Sequence, residues 1–414
     1  MADASEQMGT TGPLHGLKVI ELASERAQFA GKQFADMGAD VIVVEPPGGH
    51  HTRTYGPFAD DIELPEHSLW WWLYNTSKRG VVLDLDTPEG AAKFAELASD
   101  ADIVLEGEDP GRLDALGIDH AQLRDAHPEL IWVSVTPYGR TTSRAHEPAT
   151  DLTILAGGGP AWSCGYDDHT IPPVRGGGNQ AAHMAGMFAV MTVLTALLAK
   201  DVTGRGQHID VNMTACANVS TEAGSYMWHT DKLTVIRQTG RHATPMMTMP
   251  TQVRCKDGRY VNTGFPPRSV KEFQALIDWL DSLGLRDDCP DAALLELGVE
   301  RGGVSMTELS TDELASAIFG AGREAMVFIA QHIDAMEYFE TGQRAGIPCG
   351  IVASPEEAFE MPHFVARGFQ VEVEHDVIGR SVRYPGAPAK MPASPWGISR
   401  RAPKIGEHDA EVLG

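Results

Sequence analysis

Short apolar strands alternate with helical segments from Lys18 to Asn212, and this alternation restricts the fold more than any other feature of the 414-residue chain. KVIEL (18–22) reads as a strand, and the helix after it places Ala30, Phe34 and Met37 at i, i+4, i+7. Gly38 ends that helix and VIVVE (41–45) is the next strand, so the two strands are parallel with a right-handed crossover. GVVLDL (80–85), DIVLE (102–106) and LIWVSV (130–135) extend the sheet, and Thr87-Pro88 supplies an N-cap and N1 proline for a helix to about Ser99. The longest apolar run, Met184–Ala199, is shorter than the roughly 18 residues of a membrane span and reads as a buried helix. TGRGQ (203–207) turns from it into the strand HIDVN (208–212). Repeated βα units give an α/β class: a Rossmann-like, doubly wound parallel sheet with helices on both faces.

After about Thr221 the pattern changes. TQVRC and RYVNT flank Lys256-Asp257-Gly258 as a hairpin. Capping boxes open three helices: Ser269 with Glu272, Ser310 with Glu313, and Ser354-Pro355 with Glu357. The expectation is a large domain over 1–220 and a smaller α+β domain over 225–345. A Pro-rich, mostly extended segment over 346–414 returns to the large domain.

A formal charge of −24 argues against nucleic acid and anionic membranes as partners. Five scattered cysteines without a CxxC pair suit reduced thiols in the cytoplasm and give neither a disulfide framework nor a metal site. The N-terminal MADASEQMGTTG lacks the apolar core of a signal peptide.

The turn after the first strand, Ala23-Ser24-Glu25-Arg26-Ala27, has no glycine, so a dinucleotide fingerprint is absent even though Glu45 ends the second strand. Gly176-Gly177-Gly178 opens the long apolar helix and either shapes a ligand pocket or is a plain turn. Lys78 and Arg79, with Arg53 and Arg112, are candidates for an anion site, against the ordinary reading of solvated charges. The run Trp70-Trp71-Trp72-Leu73-Tyr74 is read as an oligomer contact, and Met246, Met247 and Met249 as a ligand wall or core filler. From His169 to Lys200 there is no Asp or Glu. His183 and Asp151 are the isolated polar residues nearest that gap, and neither belongs to a recognisable triad.

The ordered set PLHGLKVIEL (13–22), FADMGADVIVVEPPGG (34–49), NTSKRGVVLDLDTPEG (75–90), ADIVLEGEDPGRLDALG (101–117), VSVTPYGR (133–140), TGRGQHIDV (203–211), GIPCGIV (346–352) and RAPKIGEHDAEVL (401–413) resembles the CaiB/BaiF, or family III, CoA-transferases over nearly the whole chain. The resemblance implies an interlocked dimer of two-domain subunits. It also implies a CoA thioester as substrate, with no covalently bound cofactor, and CoA transfer from an acyl-CoA to a carboxylic acid. In such transferases an Asp at the start of the long helix attacks the thioester and carries first the acyl group, then CoA. Here that position falls at about Ala182, and the nearest carboxylates in sequence are Asp168 and Asp201. The racemase members' His-Asp pair appears as Thr150-Asp151, and the glutamine-containing turn after the first strand appears as Glu25-Arg26. Arg53, Lys78, Arg79 and Leu83 fit the family pattern, and with Arg112 they are the candidates for CoA binding.

Three functions follow. The chain is the Asp-lacking subunit of a heteromer, as in benzylsuccinate CoA-transferase, with the acid on a homologous partner. Alternatively it is a self-sufficient acyl-CoA racemase or isomerase whose base is Asp151, His183 or Glu25. The third is a non-catalytic CoA-ester binding protein.

Overall fold

The computed structural model describes residues 11–221 and 224–414; most of the N-terminal stretch considered above as a leader lies outside them. The chain begins β1 (Lys18–Leu22), α1 (Gln28–Asp36), β2 (Asp40–Glu45), α2 (Leu69–Tyr74), β3 (Arg79–Val82), α3 (Pro88–Ser99) and β4 (Ile103–Glu106). It continues α4 (Arg112–Ala115), α5 (His120–Ala126), β5 (Ile131–Thr136), α6 (Asp151–Gly158), α7 (Gln180–Thr203), β6 (His208–Asn212) and α8 (Met213–Val219). The six strands form one sheet in the order β3-β2-β1-β4-β5-β6, every pair parallel. The strand order reverses between β1 and β4, so a crevice opens where their carboxyl ends diverge. One face of the sheet packs on α1, α7 and α8 through Phe34, Val133 and Val193. The other packs Phe94 of α3 against Trp132 of β5. This is the doubly wound α/β sheet that the alternation predicts.

Helix α7 is longer than the apolar run suggests, at 24 residues, and by length and composition it is apolar enough to cross a membrane. Its small residues Ala181, Ala182, Ala185, Gly186 and Ala189 are buried, which seats it in the core of the sheet domain. Gly186 is required there: a Cβ would come within 2.9 Å of the Phe29 ring. Gly206 is equally constrained, since a Cβ would lie 2.2 Å from the Leu130 carbonyl oxygen. On the opposite face Met187, Met191, Leu198 and Val202 are exposed, four apolar side chains on one helical stripe.

The described residues divide into two compact units. One comprises 11–162, 174–221, 224–225 and 359–414; the other comprises 163–173 and 226–358. The strand Gly350–Ile351 pairs with Tyr260–Asn262, which itself pairs with Gln252–Arg254 as the predicted hairpin. After α9 (Gly224–Asp231), four helices pack around that small sheet: α10 (Val270–Ser282), α11 (Ala292–Glu300), α12 (Glu313–His332) and α13 (Ala335–Arg344). The Ser269–Glu272 box caps α10. The Ser310 box does not form, because Asp312 already takes the amides of Leu314 and Ala315. Met249 packs on this core, whereas Met246 and Met247 are exposed.

The C-terminal segment is more ordered than a Pro-rich extended tail. It holds an antiparallel hairpin, Gln370–His375 with Arg380–Pro385, and a last helical turn, Asp409–Val412. The aromatic run is correspondingly internal. Trp71 and Trp72 are buried, and His375 of the hairpin stacks on Trp72 at 3.9 Å. Expecting an oligomer contact there overlooked that the chain's own tail covers these rings.

Candidate active site

A cavity of about 380 Å³ opens at the reversal point of the sheet. Its walls are the loops that leave the carboxyl ends of the strands: Ala23–Arg26 after β1, His50 and His51 after β2, Gly107–Asp109 after β4 and Pro137 after β5. The start of α6 contributes Thr150 and Asp151, and the start of α7 contributes Asn179 and Ala182. The fold therefore brings Glu25, Asp151, Ala182 and Arg112 together from four separate segments.

Position 182 ends in a methyl group. Asp151, the nearest carboxylate to the head of α7 in this cavity, has both oxygens facing other groups. One oxygen accepts the backbone N–H of Ala181 at 2.7 Å, and the other lies 3.2 Å from the Arg175 guanidinium. Asn179, the residue flanking α7, makes no side-chain cap, so Asp151 serves that helix from 30 residues upstream. Arg175 also donates to the carbonyls of Gly176 and Gly178, so it pins the Gly loop against Asp151.

His183 is committed as well. It shares a 2.7 Å hydrogen bond with the Tyr74 hydroxyl and stacks on Phe29 at 4.3 Å. Burial pulls its pKa below the usual histidine range, with Asp151 opposing the shift, and pushes Tyr74 up to about 12. Glu25 has a lighter set of contacts. It accepts from the Tyr55 hydroxyl at 3.1 Å, while the adjacent Arg26 points away to the Gly107 carbonyl and Asp109. Burial, then Glu25, raises the Tyr55 pKa, so its hydroxyl stays protonated.

Of the five residues considered for CoA, only Arg112 borders this cavity. It is half-exposed and pairs with Asp86 at 2.8 Å. The other four lie outside its lining. Arg53 grips Glu45 through two 2.7 Å hydrogen bonds and lies over the Trp71 ring. Lys78 meets Glu21 at 2.7 Å with both side chains buried. Desolvation pulls the lysine pKa down and pushes the glutamate up, each against the attraction of its partner. Arg79 joins Asp40 to Glu411, and Leu83 is core. Sequence reasoning missed Tyr55 and Arg175, and it noted Tyr74 only within the aromatic run, since Tyr74 and His183 are 109 residues apart. Among the described residues no group of three or more His, Cys, Asp or Glu side chains is arranged to hold a metal.

The model of CoA-transferase family III matches residues 14–409. The chain belongs to CoA-transferase family III. It is 30% identical over 403 residues to the succinyl-CoA:(R)-benzylsuccinate CoA-transferase subunit BbsE of Thauera aromatica, covering 96% of this chain and 92% of that protein. It is 28% identical over 412 residues to the succinyl-CoA–L-malate CoA-transferase beta subunit of Chloroflexus aurantiacus, covering 98% and 94%. A crystal structure of a CaiB/BaiF family protein from Brucella suis superposes with a TM-score of 0.79 at 25% identity, covering 98% of this chain and 99% of that one. The reaction class of the family is CoA transfer, and its CoA-transferase members use CoA thioesters.

Proposed function

We propose that this chain is the subunit without a nucleophile in a two-chain acyl-CoA:carboxylate CoA-transferase. The observation that carries this reading is the methyl of Ala182 at the head of α7, inside the cavity at the sheet's reversal point. Transfer of CoA between carboxylates through a covalent enzyme intermediate needs an unhindered carboxylate that attacks the thioester carbonyl. Asp151 is held by a backbone amide and by Arg175, and His183 by Tyr74 and Phe29. The acid then comes from a homologous partner that bears Asp at the matching position. Two similar proteins are themselves named as subunits, which supports the reading. The exposed apolar stripe on α7 is a surface for such a partner, in an interlocked dimer. Five free cysteines, four of them buried, support a cytoplasmic setting.

The test is to purify the chain alone and after co-expression with an Asp-bearing family member, and to assay CoA transfer from acyl-CoA esters to carboxylic acids. Transfer only by the co-purified pair is expected. Full transfer by the chain alone overturns the reading and favours a carboxylate relocated within this cavity.

A further inference from the structure

The cavity that lacks a nucleophile keeps a base. Glu25 lines it together with Ala182, and among the described residues the donor to its carboxylate is a neutral phenol, Tyr55. Neither neighbouring cation neutralises it: Arg26 is spent on Gly107 and Asp109, and Arg112 on Asp86. Tyr55 is held by an edge contact with Trp70 at 5.4 Å, so the phenol that bonds the carboxylate is itself packed. A methyl at 182 in a cavity of about 380 Å³ leaves room for water where an aspartate would stand.

We propose that Glu25 is a general base which gives this chain its own activity, hydrolysis of acyl-CoA thioesters. The inference rests on the CoA-transferase reading, because it requires the cavity to admit an acyl-CoA. Glu25 removes a proton from water as the water oxygen bonds to the thioester carbonyl carbon. The tetrahedral intermediate collapses with loss of the C–S bond. The thiolate of CoA leaves and takes the proton from Glu25, which returns the carboxylate. The products are a carboxylic acid and free CoA thiol, and no further reactant is consumed. Tyr55 is a positioning residue whose hydrogen bond holds the Glu25 carboxylate in place.

The test uses the full chain without a partner, a panel of acyl-CoA esters and a thiol-reactive dye. Steady release of CoA thiol is expected, falling on the order of 10²-fold or more in Glu25→Gln. Tyr55→Phe is expected to lower kcat about 10-fold with KM unchanged, a split that a purely structural role does not produce. Circular dichroism of both variants verifies the fold, and Glu25→Asp retains partial activity if the variants fail only through chemistry. Turnover in ¹⁸O-water places label in the released acid. Label in the Glu25 peptide overturns the general-base role in favour of a covalent one. Unchanged hydrolysis in Glu25→Gln overturns the inference outright. Calorimetric binding of acyl-CoA with no hydrolysis overturns it too, yet leaves the transferase reading standing; absence of binding counts against both.

Discussion

The carboxylate of Asp151 caps the helix that begins with Gln180, accepting the N–H of Ala181 at 2.7 Å. A negative charge at this helix N-terminus satisfies an orphan donor and meets the positive end of the helix dipole. Removing it in Asp151→Ala is expected to destabilise the sheet domain by about 1–2 kcal/mol, with Asp151→Asn losing less because an acceptor oxygen remains. Urea titrations of the two variants measure this. Equal, negligible losses contradict a capping role.

Lys78 and Glu21 form a buried pair. Lys78→Ala leaves Glu21 charged and alone in the core, at a cost of about 3–5 kcal/mol. Lys78→Met combined with Glu21→Leu is expected to recover much of that loss. Thermal unfolding of the single and double variants decides between this and a ligand role, in which the single variant keeps its stability and weakens only CoA binding.

Acid is expected to destabilise the chain through buried histidines. His375, stacked on Trp72 and bonded to Tyr384, is pulled down to about 4 by burial. Burial, then His120, takes His208 down to about 4. The unfolded state binds these protons first, so stability is complete above about pH 6.5 and drains away as the pH falls toward 4. By pH 5 the His375 share is about 2 kcal/mol. Urea midpoints at pH 7.5 and 5 read this slope, and His375→Gln should flatten it. An unaltered slope in that variant contradicts the assignment.

The sheet and its cavity follow from patterns that are local in the sequence. Each strand is a short apolar run, and the loops that leave β1 and β4 meet because parallel βα units wind outward from a central pair. The chemistry at the cavity is less legible. Asp151 looks like an isolated acid until the structure brings it to the head of a helix 30 residues on. Arg53 and Lys78 look like free cations because their partners, Glu45 and Glu21, lie on neighbouring strands, and only the packing shows the ion pairs are dry. The tryptophan run looked exposed for a similar reason: the hairpin that covers it is some 300 residues away in sequence.

The stripe Met187, Met191, Leu198 and Val202 predicts association. Met191→Glu with Leu198→Glu is expected to raise the monomer fraction of the co-expressed pair in light scattering, with the fold retained. An unchanged mass distribution removes this face from the interface.

The absence of a carboxylate at position 182 is the centre of the account, and the location of the covalent intermediate tests it most directly. The co-purified pair is incubated with acyl-CoA, trapped with borohydride and mapped by peptide mass spectrometry. Reduction of an aspartyl-CoA thioester on the partner, with every carboxylate of this chain unmodified, is the predicted result. A reduced Glu25 or Asp151 in this chain contradicts it.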